Sequence, residues 1–335
     1  MKHSDFGVSL AKLLVTTLLG TVLAYGQQYD SALSWDKAMK VPASNPLNTA
    51  KVALGKRLFS DTRLSVDEWL SCASCHDPAH AFSDARRVSV GVLGQRGKRH
   101  APTLLGRGLG ESQFWDGRVA TLEEQVLLPI VSSDEMGMTV ETVLRRLNRD
   151  PAYRDLTRES LADALASYLR TIRSENSSFD LFASGWTGML SELELEGLSL
   201  FRGKARCHLC HSGAPFTDEA FHNTGVAWNE GVLQDEGRAA ITGKLYHKGA
   251  FKTPTLREAG RRGPYMHDGS LATLEDVIDF YDRGGNQNPH LDENIAPLHL
   301  SDAEKKALLA FVRTGLAGTM TDAMSRKSIQ PRNQR

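Results

Sequence analysis

All four cysteines of this chain lie in two copies of one short pattern, in which two cysteines three positions apart are followed at once by histidine. The copies are Cys72-Ala73-Ser74-Cys75-His76 and Cys207-His208-Leu209-Cys210-His211. Because residues i and i+3 share a face of a helical turn, both thiols of one copy can reach the same edge of a porphyrin. The adjacent histidine can then bind its iron. The pattern is typical of covalent c-type haem attachment, here at two sites.

Cysteine pairs also bind zinc or form disulfides, so both alternatives need weighing. Zinc does not require a histidine directly after each second cysteine. A redox disulfide needs only one pair, in a βαβ context that this sequence lacks. The patterns together use every cysteine, so chance occurrence is a poor explanation. We therefore expect two covalently bound haems, with iron ligands His76 and His211 and attachment residues Cys72, Cys75, Cys207 and Cys210.

The N-terminal segment predicts export. Lys2 precedes a largely apolar stretch from Leu10 to Ala24, and Ala24-Tyr25-Gly26 resembles a cleavage site, so residues 1–26 are predicted to form a signal peptide. The stretch is short for a membrane span, and no other approaches about 18 apolar residues. We expect a periplasmic protein without a span in its mature part. The formal net charge of zero disfavours nucleic acid as a partner.

Similar residues surround the two motifs in the same order. Gly55-x-x-Leu58-Phe59 precedes the first motif and Phe82-Ser83-Asp84 follows it, whereas Gly197-x-x-Leu200-Phe201 and Phe216-Thr217-Asp218 flank the second. A repeated order of elements indicates two related units. With about 150 residues per domain as a guide, we predict a mainly α fold with two cytochrome c-like haem domains in tandem. They would span residues 27–176 and 177–335.

Helical patterns support this fold class. Apolar spacing predicts a helix from Leu161 to Ile172, and capping boxes that begin at Ser191 and Ser301 predict two more. A further helix is predicted to follow Thr273. Its apolar face would carry Leu274, Val277, Ile278 and Tyr281. From this pattern alone, Tyr281 is interpreted as a core tyrosine with a hydrogen-bonded hydroxyl.

Longer motifs connect the chain to a known family. They are Leu54-Gly55-Lys56-Arg57-Leu58-Phe59, Phe114-Trp115-Asp116-Gly117-Arg118, Phe251-Lys252-Thr253-Pro254-Thr255-Leu256-Arg257 and Pro264-Tyr265-Met266-His267-Asp268-Gly269. In these and in the two cysteine motifs, the chain resembles the bacterial di-haem cytochrome c peroxidases, and within them the MauG-like branch. The similarity spans nearly the whole mature chain.

The resemblance implies different roles for the two haems. The haem on His76 would bind peroxide at an open iron position, and the haem on His211 would transfer electrons. In ordinary peroxidases a methionine, fourteen residues after the histidine of the Tyr-x-His-Asp-Gly motif, is the second ligand of the latter haem. Tyr281 occupies this position after His267, as in MauG-like members. The resemblance also places Gln125, Pro129 and Glu135 in the peroxide pocket and Trp115 between the haems as a relay.

Three positions depart from the common family pattern. Val92 stands where members that need reductive activation carry a removable histidine ligand, so we expect an open first haem. His100 replaces an asparagine that helps to bind calcium, whose other ligands would be the carbonyls of Arg262 and Pro264. Imidazole is a poor calcium ligand, and the sequence leaves calcium open. Ala205 replaces a surface tryptophan that some members carry just before the second haem motif, which weakens the expectation of the same protein substrate.

We therefore predict a periplasmic di-haem oxidoreductase that reacts with hydrogen peroxide at the N-terminal haem. It would share oxidising equivalents with a His/Tyr-ligated C-terminal haem. One alternative is an ordinary cytochrome c peroxidase, with Met266 as the most plausible methionine ligand. Another is a di-haem electron carrier without peroxide chemistry. The sequence names neither the electron donor nor a protein substrate.

Overall fold

The computed structural model describes residues 39–322, so the predicted signal peptide lies outside the described residues. The α-helices are α1 (Thr49–Phe59), α2 (Leu122–Gln125), α3 (Leu128–Val131), α4 (Val140–Leu147), α5 (Arg158–Thr171), α6 (Ser178–Ala183), α7 (Glu192–Arg202), α8 (Ala239–Thr242), α9 (Leu274–Asp282) and α10 (Asp302–Ala310), which continues as a π-helical turn over Phe311–Gly315. Short 3₁₀ turns cover Thr62–Leu64, Cys72–Ser74, Pro78–His80, Val92–Gly94, Arg107–Leu109, Pro151–Tyr153, Thr187–Met189, Cys207–Leu209, Leu245–His247 and Ala259–Arg261. The mainly helical prediction is confirmed.

The strands are short and form antiparallel pairs. They are β1 (Arg173–Glu175), β2 (Phe221–His222), β3 (Trp228–Asn229), β4 (Val232–Leu233), β5 (Phe251–Lys252) and β6 (Thr319–Thr321). The pairs are β1 with β6, β2 with β5, and β3 with β4. Along residues 39–322, no helix combines the length and the apolar character needed to cross a membrane.

The predicted helix starts are confirmed by reciprocal capping. Ser191, Ser301 and Thr273 each accept a hydrogen bond from the third residue of the helix, whose side chain bonds back to the cap. Helix α5 begins earlier than predicted, at Arg158 after the cap Thr157. Its capping box closes with serine rather than glutamate, which is why the sequence pattern was weaker there.

Buried apolar residues form two separate cores. The first lies between positions 52 and 172 and the second between positions 179 and 316. Met320 of β6 packs against the first core because β6 pairs with β1, directly after α5. The last described strand therefore packs against the first core, although it follows the second core in the chain.

The repeated glycine has the same structural role in both cores. A Cβ on Gly55 of α1 would lie 1.9 Å from the carbonyl oxygen of Ala164 on α5. A Cβ on Gly197 of α7 would lie 2.1 Å from that of Ala307 on α10. Only glycine permits helix backbones to approach this closely. In each core, this contact holds in place the last α-helix before the cysteine motif.

Candidate active site

The first cysteine motif forms a tight turn that orients its histidine. Cys72–Ser74 is a single 3₁₀ turn, and the His76 backbone N–H donates to the Cys72 carbonyl (3.0 Å). The His76 ring donates from Nδ1 to the Phe82 carbonyl oxygen at 3.1 Å, since that oxygen can only accept. Nε2 is thereby left as the metal-binding nitrogen. A histidine held by a carbonyl through its other nitrogen is the usual arrangement of a metal ligand.

The second motif repeats this geometry. His211 Nδ1 donates to the Phe216 carbonyl oxygen at 3.0 Å. Phe82 and Phe216 both have positive φ, 57° and 52°, which turns their carbonyls toward the histidines. Burial lowers the pKa of His76, and that of His211 to about 4, so both rings are neutral, as a metal ligand must be. The sequence repeat includes both phenylalanines, but it does not indicate that their carbonyls orient the histidines.

Two cavities extend from the motifs. The first cavity, about 1290 Å³, is lined by Cys72, Cys75 and His76, among others. The second, narrower cavity is lined by Cys207, Cys210 and His211. Two thiols and one oriented, neutral imidazole at each cavity fit a covalently attached haem.

The three residues expected in the peroxide pocket all line the first cavity. They are Gln125 at the end of α2, Pro129 in α3, and Glu135 in the following loop. Glu135 is exposed to the open cavity, but desolvation by the surrounding wall raises its pKa, against the opposing effect of the Arg118 guanidinium. Within residues 39–322, neither the Gln125 amide nor the Glu135 carboxylate has a side-chain hydrogen bond to protein. Both are therefore free to bind a ligand in the cavity.

Trp115 belongs to the wall that the two cavities share, because it lines both. Its indole Nε1 donates to the His100 carbonyl oxygen at 2.8 Å. Its own carbonyl accepts from the backbone N–H of Lys252 at 2.8 Å. The first bond holds the indole and the second holds the backbone of the same residue.

The apolar face predicted for α9 lines the second cavity through Leu274, Val277, Ile278 and Tyr281. Burial raises the pKa of the Tyr281 phenol, and the neighbouring cysteines Cys210 and Cys207 act in the same direction. Met266 lines this cavity too. The structure therefore brings both candidate ligands to the cavity of His211.

Sequence reasoning missed the buried cation in the shared wall. Lys252 is 7% exposed, lines both cavities, and donates from Nζ to the Ser112 carbonyl oxygen at 2.9 Å. Burial and the Arg107 guanidinium lower its pKa to about 7, although Glu219 at 3.5 Å opposes them. The motif Phe251–Arg257 was recognised, but periodicity does not reveal that its lysine points inward.

Two of the positions that depart from the family pattern, His100 and Val92, form hydrogen bonds within the protein. His100 is buried, with Nδ1 donating toward the Arg86 carbonyl oxygen (3.1 Å) and Nε2 3.0 Å from the Ser83 hydroxyl. Val92 is buried as well, and its N–H donates to the Glu135 carbonyl at 2.9 Å. The resemblance places a removable ligand on this loop in some peroxidases. Here the loop instead holds the backbone of Glu135 through the hydrogen bond from Val92.

Comparisons with known proteins show the family of this chain. A family model described as di-haem cytochrome c peroxidase matches residues 49–187. The methylamine utilization protein MauG of Methylorubrum extorquens is 39% identical over 82% of this chain and 80% of its own length. The cytochrome c551 peroxidase of Nitrosomonas europaea is 33% identical over 81% and 84%. The crystal structure of a MauG-like protein associated with microbial copper homeostasis, 32% identical, superposes with a TM-score of 0.77 over 84% of this chain and 93% of that one. The chain belongs to the family of di-haem cytochrome c peroxidases and MauG proteins.

Proposed function

We propose that this di-haem peroxidase-type oxidoreductase reacts with hydrogen peroxide in the first cavity and shares the oxidising equivalents with the second. In this proposal each haem is bound covalently in one of two tandem cytochrome c-like domains, which span residues 27–176 and 177–335. The observation that carries the proposal is the placement of Trp115. It lines the cavity of His76 and Glu135 and also the cavity of His211 and Tyr281.

In the first cavity, protein groups handle the peroxide protons. Haem iron, if held by His76, would supply the redox chemistry that cleavage of peroxide needs. The ionised Glu135 carboxylate would take a proton from one peroxide oxygen and return it to the other, which leaves as water. The Gln125 amide holds peroxide by hydrogen bonds. Pro129 has no N–H to offer and shapes the pocket wall.

In the shared wall, Trp115 acts as the electron relay. Its indole has an extended π system and a fixed hydrogen bond to His100, so it can lose and regain an electron without moving. Trp115→Phe would keep the packing but remove this bond. We expect normal consumption of the first peroxide molecule and at least a tenfold slower oxidation of the second centre, followed by stopped-flow absorbance. An unchanged rate would exclude the relay.

We propose Tyr281 as the second axial ligand of the haem on His211. A phenolate is a hard anion and favours ferric iron, whereas a thioether favours the ferrous state. Burial disfavours the free phenolate at this position, so the charge requires a cation such as ferric iron. Met266 supports the alternative of an ordinary peroxidase, because it lines the same cavity.

The deciding experiment compares ultraviolet–visible and electron paramagnetic resonance spectra of the ferric protein before and after one equivalent of peroxide. We expect one high-spin and one low-spin haem, both altered by peroxide. Tyr281→Phe should abolish the low-spin signal, and the matched Met266→Leu should leave it intact. The reverse pattern, or a near-infrared sulfur–iron band, would establish Met266 instead. Two six-coordinate haems that ignore peroxide would identify an electron carrier.

We further propose that the protein works in the periplasm after export, which subcellular fractionation of the native host would test. The partner that supplies electrons is not assigned. Ala205, just before the second motif, is 5% exposed and lines the second cavity. This position therefore presents no exposed aromatic ring to a protein substrate.

A further inference from the structure

The guanidinium of Arg262 is a buried cation that forms no ion pair with a carboxylate of residues 39–322, although the Glu258 charge acts on it through space. The residue follows the turn Ala259–Arg261, is 9% exposed, and lines the second cavity. Nη2 donates to the Thr255 carbonyl oxygen, but buried Nε has no hydrogen-bond partner among the described residues. The nearby Glu258 carboxylate accepts instead from Ser174 and from the Gly318 N–H, both at 2.6 Å, and lies 3.5 Å from Arg261.

A charged donor in this position requires an anion. A buried charge is stable only when it is paired and hydrogen-bonded, and an orphaned N–H is costly in itself. Burial lowers the pKa of Arg262 to about 10, which still leaves the group protonated at neutral pH. The wall of the cavity therefore offers a fixed positive charge and one open N–H.

We propose that Arg262 anchors a carboxylate of the prosthetic group held by His211, with Nε–H donating to a propionate oxygen. The inference rests on the proposed attachment of haem at the second motif. Guanidinium is suited to this role because its planar donors match a carboxylate. The anchor adds a cofactor-binding residue that the cysteine motif does not contain.

The same charge replaces calcium. The resemblance expects that ion between the His100 side chain and the carbonyl oxygens of Arg262 and Pro264. Both ring nitrogens of His100 already face protein groups, and imidazole offers no oxygen. His100, Arg262 and Pro264 line the same cavity, so the Arg262 charge lies beside this place. A divalent cation would be repelled there, so the centre functions without calcium.

The first test is a spectroelectrochemical titration of the haem on His211. Arg262→Gln leaves a propionate charge uncompensated, which stabilises ferric iron, so the midpoint potential should fall. Arg262→Lys should retain most of the wild-type potential. Arg261→Gln is the matched control, because that neighbouring side chain is half exposed, and it should leave the potential unchanged. Equal potentials in Arg262→Gln and Arg261→Gln would overturn the proposal.

A second experiment tests the hydrogen bond between Arg262 and the propionate, separately from the effect of the arginine charge. Resonance Raman spectra should show a shifted propionate bending band in Arg262→Gln and Arg262→Lys but not in Arg261→Gln. An unshifted band in all three variants would refute the hydrogen bond. Neither measurement involves peroxide, so a protein that ignores peroxide but shows these shifts would refute the proposed function and leave the anchor standing.

The calcium corollary needs no variant, so it can be tested even if Arg262→Gln fails to fold. Wild-type protein treated with EGTA should keep its absorption spectrum. It should then release no binding heat when titrated with calcium chloride. Stoichiometric calcium binding, or a spectrum that EGTA alters and calcium restores, would overturn the assignment of Arg262 as the cation of this site.

Discussion

Asp180→Asn should strongly destabilise the second core, because the Asp180 carboxylate pairs with a fully buried arginine. Arg257 is 0% exposed, and its Nη1 and Nη2 donate to the two Asp180 oxygens at 2.8 and 2.7 Å. Nε donates to the Ala214 carbonyl at 2.7 Å, two residues before Phe216, which orients His211. The pair therefore supports both the fold and the ligand.

The size of the expected stability loss follows from the burial of this ion pair. Asparagine keeps the shape and one acceptor oxygen but removes the negative charge that faces the buried guanidinium. Breaking a buried pair in this way costs about 3–5 kcal/mol. For a unit of about 150 residues, 1 kcal/mol corresponds to roughly 2–4 °C, so the Tm should fall by roughly 6–20 °C.

Glu275→Gln supplies the matched control. Arg313 Nη2 lies 2.7 and 2.6 Å from the two Glu275 carboxylate oxygens, nearly the same distances as in the Asp180–Arg257 pair. The Glu275 and Arg313 side chains, however, are 50% and 43% exposed. An exposed pair contributes about 1 kcal/mol at most. Thermal denaturation of both haem-loaded variants, with electron paramagnetic resonance of the low-spin centre, measures the difference. Equal Tm losses would refute the reasoning that burial, rather than distance, sets the cost.

Two further predictions concern the first core. Because desolvation raises the pKa of Glu135, a base at this position gains its proton at higher pH than an ordinary glutamate. The stopped-flow rate of the peroxide reaction should therefore fall as pH decreases through that raised pKa. Glu135→Gln should lower the rate by about 10²–10⁴ and remove this inflection, and an inflection that persists would contradict the assignment. Gly55→Ala should destabilise the protein by about 1–3 kcal/mol, since its Cβ would meet the Ala164 carbonyl. In chemical denaturation, Gly188→Ala, with nothing within 4 Å of its Cβ, should be nearly neutral.

Local patterns predicted much of the fold because capping and apolar periodicity are properties of short segments. The capping boxes at Ser191, Thr273 and Ser301 lie where the sequence indicated them. The start of α5 was missed because its box uses serine, and the pairing of β1 with β6 was missed because it joins residues far apart in the chain. Very short strands carry no periodicity to detect.

The sequence by itself identified the residues proposed for haem attachment, since the spacing of the two cysteines suits one porphyrin edge and the adjacent histidine suits its iron. The resemblance of its motifs to a known family supplied the candidate residues for the peroxide pocket and the proposed tyrosine ligand. Only the tertiary structure decided that Trp115 lines both cavities and that the Phe82 and Phe216 carbonyls orient the histidines. It also decided that Arg262 is buried with an Nε that no group of residues 39–322 hydrogen-bonds. The reason is physical: burial and charge pairing depend on which distant segments pack together, and no local pattern encodes that.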